Sequence, residues 1–185
     1  MIFANFSKNH PMKHLKYLLL LLVVTSCNAL RASFDYDPQV SFSQFQTYKI
    51  YPDLVSKMSQ LDEQRVLSIL DSELNSKGFT TSENPDVYIN FYSSEYQSDS
   101  RNTLGIGVGG GGGNMGVGVS GGIPIGGPQT NMRLTIDFIT VENDALIWQA
   151  VIDSQFNFNA SPEVREAKLR KMIQEALKGY PPKKN

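Results

Sequence analysis

Histidine and cysteine are almost absent from this sequence. The two histidines, His10 and His14, lie near the start of the chain, and Cys27 is the only cysteine. Beyond Cys27 the chain therefore contains no Ser-His-Asp triad, no Cys-His nucleophile and no zinc site of histidine and cysteine, because each needs residues that are missing. We expect a protein that is not an enzyme and holds no metal and no cofactor.

A stripe of basic residues is also missing. The chain has 17 basic and 18 acidic residues, and the first 26 positions hold three of the basic ones and no acidic one. Without those positions, 14 basic residues face 18 acidic ones. The basic cluster Arg165, Lys168, Arg170 and Lys171 shares its predicted helix with Glu163, Glu166 and Glu175. This mixture is typical of a solvated helix surface, and we expect no nucleic-acid partner, because phosphate binding needs excess positive charge.

The apolar run near the start of the chain is too short to span a bilayer. It covers residues 17–24, whereas a spanning helix needs about 20 residues. Lys8, Lys13 and Lys16 precede the run, and the small residues Thr25 and Ser26 follow it. Because this is the order of a secretory signal, we predict a signal peptide over residues 1–26.

Cys27 directly follows this signal, in the sequence Val24-Thr25-Ser26-Cys27. These residues resemble the lipobox of bacterial lipoproteins, in which the cysteine becomes the acylated first residue of the mature chain. The resemblance implies lipid attachment at Cys27, with palmitate among the chains, a lipidated tether over residues 27–31, and a location at the outer membrane facing the periplasm. Several acyl chains hold a protein stably on a bilayer. The alternative is an ordinary signal with a chance cysteine near its cleavage site.

Glycine is concentrated in one segment, residues 105–127, which holds 13 of the 15 glycines. A phosphate-binding loop would need these glycines to open a helix, and no helical pattern begins before Ser161. Apolar residues alternate with glycine on both sides of the run 109–113. This period of two predicts a long hairpin loop, inserted over residues 104–128. The insertion is either a plain mobile loop or an arm that contacts lipid, peptidoglycan or another copy of the chain.

The rest of the chain shows strand and helix patterns in turn. A period of two predicts two short strands within residues 31–51 and one strand in each of the segments 87–92, 134–139 and 146–158. Helical spacing predicts one helix over about 60–77 and another that ends before Gly179. This order predicts an α+β fold, with a mostly antiparallel sheet of about five strands and two helices packed on one face.

Capping residues mark the ends of the predicted helices. Ser59 is the N-cap candidate of the first helix, with Asp62 three residues later. Gly78 is placed to end that helix in a Schellman motif, in which Phe79 folds back on the last turn. Ser161 is the N-cap candidate of the second helix, and a proline follows it at the first helical position.

Several separated segments are similar to the DUF4136 family of bacterial envelope lipoproteins. They are Phe45-Gln46-Thr47-Tyr48, residues 74–79, residues 84–89, the glycine interruption, Leu134-Thr135-Ile136-Asp137, Leu146-Ile147-Trp148, and the closing helix with Tyr180-Pro181-Pro182. Together they span most of residues 32–182 in the order of the family. The resemblance implies one compact α+β domain over residues 32–182 in the cell envelope. It supplies no known reaction, so no catalytic role is carried over.

Four carboxylates and one tryptophan are the candidates for a chemical role. Trp148 is expected to pack in or beside the core, and Asp137 to be solvated or hydrogen-bonded. Asp35 and Asp37 project from one strand face, which indicates a solvated edge rather than a calcium site, because no glycine-punctuated loop of oxygen ligands follows. Asp137 and Asp153 are the candidate carboxylate pair of a hydrolase.

These observations predict a lipid-anchored envelope protein with a binding or structural role. The membrane is one partner, through the lipid, and an envelope protein or peptidoglycan is the candidate second partner. The candidate contact surfaces are the exposed sheet face, the aromatic strand around residues 88–96 and the glycine-rich arm. The alternative is a small periplasmic hydrolase that acts on envelope material with carboxylates, and a third possibility is a carrier with a closed apolar cavity.

Overall fold

A computed structural model describes residues 30–98, 103–104, 123–124 and 129–183 of the chain. The predicted signal peptide, the lipid-attachment residue Cys27 and most of the predicted glycine-rich insertion lie outside the described residues. Within the described part, no helix has the length and apolar character needed to cross a bilayer.

The described strands form a six-stranded sheet and a separate pair of short strands. In chain order they are β1 (Ala32–Tyr36), β2 (Thr47–Ile50), β3 (Thr80–Thr81), β4 (Val87–Ser98), β5 (Thr103–Leu104), β6 (Ile123–Pro124), β7 (Gln129–Thr140) and β8 (Leu146–Gln155). The six strands of the main sheet lie in the order β1-β8-β7-β4-β2-β3. β5 and β6 pair antiparallel with each other.

The α+β class is confirmed, but the sheet is mixed and larger than predicted. The pairs β1-β8, β8-β7 and β7-β4 are antiparallel, whereas β2 runs parallel to both β4 and β3. Parallel neighbours need a crossover connection, and helix α1 (Gln60–Ser76) provides it between β2 and β3. The predicted number of strands was too low because β3 has two residues, which is too few to show a period.

The predicted ends of helix α1 are confirmed. The Ser59 side chain accepts a hydrogen bond from the backbone N–H of Asp62 at 3.3 Å. At the other end, the N–H of Phe79 donates to the carbonyl of Leu74 at 3.0 Å, and Gly78 has a φ of +91°. This is the Schellman arrangement, in which glycine takes the left-handed position at no steric cost.

Helix α2 (Pro162–Leu177) begins differently from the prediction. Ser161 lies at the N-cap position, but its side chain forms no capping hydrogen bond to the backbone. Pro162 stabilises this end instead, because its fixed φ suits the first helical position, where an N–H would have no partner within the helix. The predicted helix is therefore present, without the predicted capping bond.

The hydrophobic core lies between the two helices and one face of the sheet. Buried residues alternate with more exposed ones along β4 and β8, so that one side of each strand faces the core, whereas residues 134–138 of β7 are buried on both sides of the sheet. Trp148 is fully buried there, as expected, and its ring packs edge-on against Phe138 with centroids 5.0 Å apart. The opposite face of the sheet carries the polar and tyrosine side chains described next.

Candidate functional site

The face of the sheet that points away from the core is polar and aromatic, and we call it the open face. Directly opposed residues of neighbouring strands share a face, so the strand register defines its members. They are Tyr88, Asn90, Tyr92, Ser94 and Tyr96 of β4, Asn131, Arg133, Thr135, Asp137 and Ile139 of β7, Gln149, Val151, Asp153 and Gln155 of β8, Ser33 and Asp35 of β1, and Lys49 of β2. This surface includes the aromatic strand that was predicted as a contact surface.

A row of three hydrogen-bonded side chains crosses the middle of the open face, and we call it the polar row. Asp137 of β7 lies directly between Asn90 of β4 and Gln149 of β8 in the register. The Gln149 amide donates to one carboxylate oxygen of Asp137 at 2.8 Å, and the Asn90 amide donates to the other at 3.3 Å. Asp137 is thus hydrogen-bonded, as expected, and it is also buried.

The carboxylate fixes how the two amides are oriented. Because an ionised carboxylate only accepts hydrogen bonds, Asn90 and Gln149 must both turn their NH2 groups toward Asp137. Their carbonyl oxygens are consequently directed away from it. Burial raises the pKa of the Asp137 carboxyl above its ordinary value, and the hydrogen bonds from Gln149 and Asn90 oppose that rise. The polar row is therefore preorganised, and its carboxylate has uncharged hydrogen-bond donors rather than a bound cation beside it.

A second cluster lies further along the same face, toward the ends of β4 and β8. Arg133 binds Asp153 with two hydrogen bonds, Nε to Oδ1 at 2.9 Å and Nη2 to Oδ2 at 3.1 Å. The Tyr96 hydroxyl donates to the same carboxylate at 3.1 Å. The guanidinium carbon of Arg133 lies 5.6 Å from the centre of the Tyr96 ring, which is within range of a cation–π contact. The charges of this cluster are thus matched within the protein.

Tyrosines follow one edge of the polar row along β4. Tyr88, Tyr92 and Tyr96 recur at every fourth position, which places them about 13 Å apart on the same face. Tyr51 packs edge-on against Tyr88 with ring centroids 5.6 Å apart. Tyrosine suits a contact surface because it combines a large apolar ring with a polar hydroxyl, and it is enriched at protein interfaces.

The candidate carboxylate pair of a hydrolase is not assembled. In the register, Asp137 lies opposite Gln149, and Asp153 lies opposite Arg133, four residues away along β7. That separation corresponds to about 13 Å along the strand, whereas paired glycosidase carboxylates lie about 5 to 9.5 Å apart. Each carboxylate is also occupied by its own hydrogen-bond donors. The geometry therefore does not fit this pair.

Asp35 and Asp37 do not form a metal site either. Each accepts a hydrogen bond from a nearby backbone N–H, that of Tyr36 at 2.9 Å for Asp35 and that of Gln39 at 2.8 Å for Asp37. In the part of the chain that the structure describes, no cluster of three or more potential ligands could hold a metal ion. The two carboxylates stabilise a strand end and the turn that follows it.

A cleft lies at the end of the sheet where β1 finishes. Its volume is about 490 Å³, and its lining is mainly apolar: Tyr36, Pro38, Val40, Ser41, Phe42, Ser43, Pro181, Pro182 and Lys183. No carboxylate is among these described lining residues. The cleft thus lacks the facing acidic side chains that would favour a hydrolase.

A buried ion cluster that the sequence did not predict lies between the helices. Asp62 is 2 % exposed and binds Arg65 of its own helix at 2.6 Å and Arg165 of helix α2. Arg165 belongs to the basic cluster that was expected to be solvated. The spacing of three residues between Asp62 and Arg65 is visible in the sequence, but the contact with Arg165 exists only after the helices pack. We call this cluster the interhelix clamp.

Two proteins of known structure are similar to this chain in fold. No curated protein sequence matches it. Among solved structures, it is similar to a PDZ domain protein from Parabacteroides distasonis, with a TM-score of 0.51 and 15% identity, over 84% of this chain and 36% of that one. It is also similar to a PelC dodecamer from Paraburkholderia phytofirmans, with a TM-score of 0.47 and 12% identity, over 80% of this chain and 95% of that one.

At these identities the structural similarity concerns the fold alone. The chain spans about a third of the length of the PDZ domain protein that it matches. The family match is more extensive, because residues 32–182 fit the sequence model described as a domain of unknown function, DUF4136. The match covers the whole described sheet and both helices. The chain therefore belongs to the DUF4136 family.

Proposed function

We propose that this protein is a lipid-anchored component of the cell envelope that acts by binding, through the open face, and carries out no reaction of its own. The anchor is Cys27, and the protein faces the periplasm from the outer membrane. The sequence Val24-Thr25-Ser26-Cys27 after a short apolar run supports this anchor. The similarity to envelope lipoproteins, noted above for the DUF4136 family, agrees with it.

The polar row carries the binding part of the proposal. A carboxylate buried in the open face, and held only by amides, fixes how Asn90 and Gln149 are oriented on that face. Neighbouring tyrosines add apolar area, and the positive charge of Arg133 is paired with Asp153. A surface of this kind suits an uncharged polar partner, either a segment of an envelope protein or the glycan of peptidoglycan.

The anchor is tested by replacing the attachment residue. In Cys27→Ser the acyl chains have no sulfur to join, so we expect the protein to move from the envelope pellet to the soluble periplasmic fraction. Mass spectrometry of the wild-type protein should show a mature chain that begins at an acylated Cys27. A variant that stays in the washed pellet, or a wild-type protein with an unmodified thiol, would contradict the anchor.

The open face is tested by photocrosslinking in native envelopes. A photoreactive phenylalanine analogue at Tyr92, which is exposed on the open face, should capture the partner as a species of higher mass. The same analogue at Leu61, which is exposed on helix α1, is the matched control, because it labels the other side of the domain. Equal products at the two positions would argue against a binding role for the open face.

A further inference from the structure

The first strand of the domain begins at the end of the sheet where the two strands flanking the glycine-rich insertion, β4 and β7, end and begin. β1 begins at Ala32, at the level of Leu134 in β7 and Ser93 in β4. From that level β4 and β7 continue as a pair for five more residues, as far as Ser98 and Gln129. The start of β1, the end of β4 and the start of β7 therefore lie at the same end of the sheet. We call this part of the sheet the hairpin end.

The tether is short compared with the domain. Four residues lie between Cys27 and Ala32, and the five Cα–Cα steps that join the two reach at most about 18 Å in an extended chain. The paired strands extend beyond the level of Ala32 by about 17 Å, which is nearly the same length. The opposite end of β4, at Val87, lies about 36 Å from Ser98. A lipid on Cys27 thus brings the hairpin end, and not the opposite end, within reach of the bilayer.

The distribution of charge agrees with this direction. The described strand ends at the hairpin end, 96–98, 129–132 and 154–161, contain no charged residue, and the residue directly before β1, Arg31, is basic. The loops at the opposite end, 37–46, 82–86 and 141–145, contain five acidic residues: Asp37, Glu83, Asp86, Glu142 and Asp144. Two basic residues lie near them, Lys49, which pairs with Glu83, and Lys183 in the cleft. Anionic lipids repel acidic loops that lie within a Debye length of the surface. Electrostatic repulsion from an anionic bilayer is therefore weaker at the hairpin end than at the opposite end.

We propose that the hairpin end docks against the lipid surface, with the strands directed away from the bilayer and the acidic loops furthest from it. The open face then points sideways, parallel to the membrane plane, where it is accessible to a partner in the periplasm. This proposal rests on the proposed lipid at Cys27. The bilayer then has two contacts with the protein, one through the lipid on Cys27 and a second through the uncharged strand ends.

Energy transfer to labelled lipid tests the orientation with two matched positions. Gln129 at the hairpin end and Gln39 at the opposite end are both exposed glutamines. Each is replaced by cysteine in the full lipidated chain and labelled with a donor dye, while the acylated sulfur of Cys27 does not react. The protein is inserted into vesicles of phosphatidylethanolamine and phosphatidylglycerol that carry an acceptor dye on the headgroups. We expect a large loss of donor emission for Gln129→Cys and a small loss for Gln39→Cys.

Flotation of the same vesicles separates the two proposals. Protein that floats with the vesicles but loses emission equally at both positions, or more at Gln39, would overturn the orientation and leave the anchor intact. Protein that does not float would contradict the anchor and, with it, the orientation. Gln97→Cys, at another exposed position of the hairpin end, replaces Gln129→Cys if that variant does not fold.

Discussion

Two carboxylates of this domain, Asp62 and Asp137, are shielded from water in different ways. Asp62 is 2 % exposed and forms ion pairs with Arg65 and Arg165 in the interhelix clamp. Asp137 is 7 % exposed and receives hydrogen bonds from two uncharged amides in the polar row. One carboxylate thus has opposite charges beside it, and the other has only dipoles.

The difference indicates what each carboxylate does. Asp62 joins two helices and gives two guanidinium groups a counter-charge, so its removal would leave positive charge partly buried without that partner. Asp137 has no counter-charge, and burial raises its pKa, so its ionised form costs the folded state free energy. This cost agrees with the binding role proposed for the open face, whereas the clamp is explained by stability alone.

Removing the clamp carboxylate should have the largest effect on stability. We expect Asp62→Ala to lower the free energy of unfolding by about 3 kcal/mol, the lower part of the range for breaking a buried ion pair, because both guanidinium groups keep some contact with solvent. Urea denaturation measures this change.

Glu166→Ala is the matched control for that change. It removes a carboxylate from an exposed pair with Arg170 on the surface of helix α2, and such pairs contribute about 0.5 kcal/mol or less. If Asp62→Ala and Glu166→Ala unfolded at the same urea concentration, the ion pairs of the clamp would contribute no more to stability than an exposed pair.

Removing the carboxylate of the polar row should cost less. In Asp137→Ala two amide groups lose their acceptor, but Asn90 and Gln149 are partly exposed and can bind water. We expect a loss of about 1 to 2 kcal/mol in the free energy of unfolding. The same variant should weaken crosslinking from Tyr92, because the amides are no longer oriented. A loss as large as that of Asp62→Ala would remove the contrast between the two carboxylates.

Asp153→Ala is the control on the same face. This residue pairs with Arg133 at the surface, where both side chains are well exposed, and we expect a loss of about 0.5 to 1 kcal/mol, since the bidentate geometry is favourable but screened. A larger loss than that of Asp137→Ala would show that the tyrosine and arginine cluster, rather than the polar row, organises the open face.

The smallest expected effect is a change with pH in the free energy of unfolding, caused by the buried carboxyl of Asp137. Because burial raises its pKa in the folded state above the ordinary value of 3.8, the folded protein holds this proton more tightly than the unfolded chain does. Its contribution to stability is therefore complete below the unfolded value and is lost as the pH rises through the folded value. Asp137→Asn has no such titration.

The measurement compares Asp137→Asn with the wild type in urea at several pH values. The difference in free energy of unfolding should move in favour of the variant as the pH rises from about 3.5 to about 7. A movement in the opposite direction would mean that the hydrogen bonds, and not burial, dominate the environment of this carboxylate.

Much of the local structure follows from the sequence because its causes are local. Ser59 at the N-cap and Gly78 at the end of helix α1 act through bonds to residues a few positions away, and both are confirmed. The period of two in β4, β7 and β8 identifies which side chains share a face. It gives the tyrosines of the open face, since Tyr88, Tyr92 and Tyr96 follow each other at even spacing.

The pairing of the strands was harder to predict, since it depends on which elements meet. The parallel position of β2 beside β4 has no local signal, and β3 is too short to show one. The polar row arises because the register places Asp137 between Asn90 and Gln149, which are 47 and 12 residues away in the chain. The same holds for Arg165, whose partner Asp62 is 103 residues distant.

The sequence by itself determined the two helices, the cap and the Schellman ending of helix α1, the longer strands with their two faces, and the prediction that Cys27 carries lipid, because each depends on neighbours within a few residues. The tertiary structure alone decided that Asp62 has charged partners and Asp137 has neutral ones. It also decided that the start of β1, the end of β4 and the start of β7 lie at the same end of the sheet. These features depend on strand register and helix packing, which bring together residues that no short stretch of sequence contains.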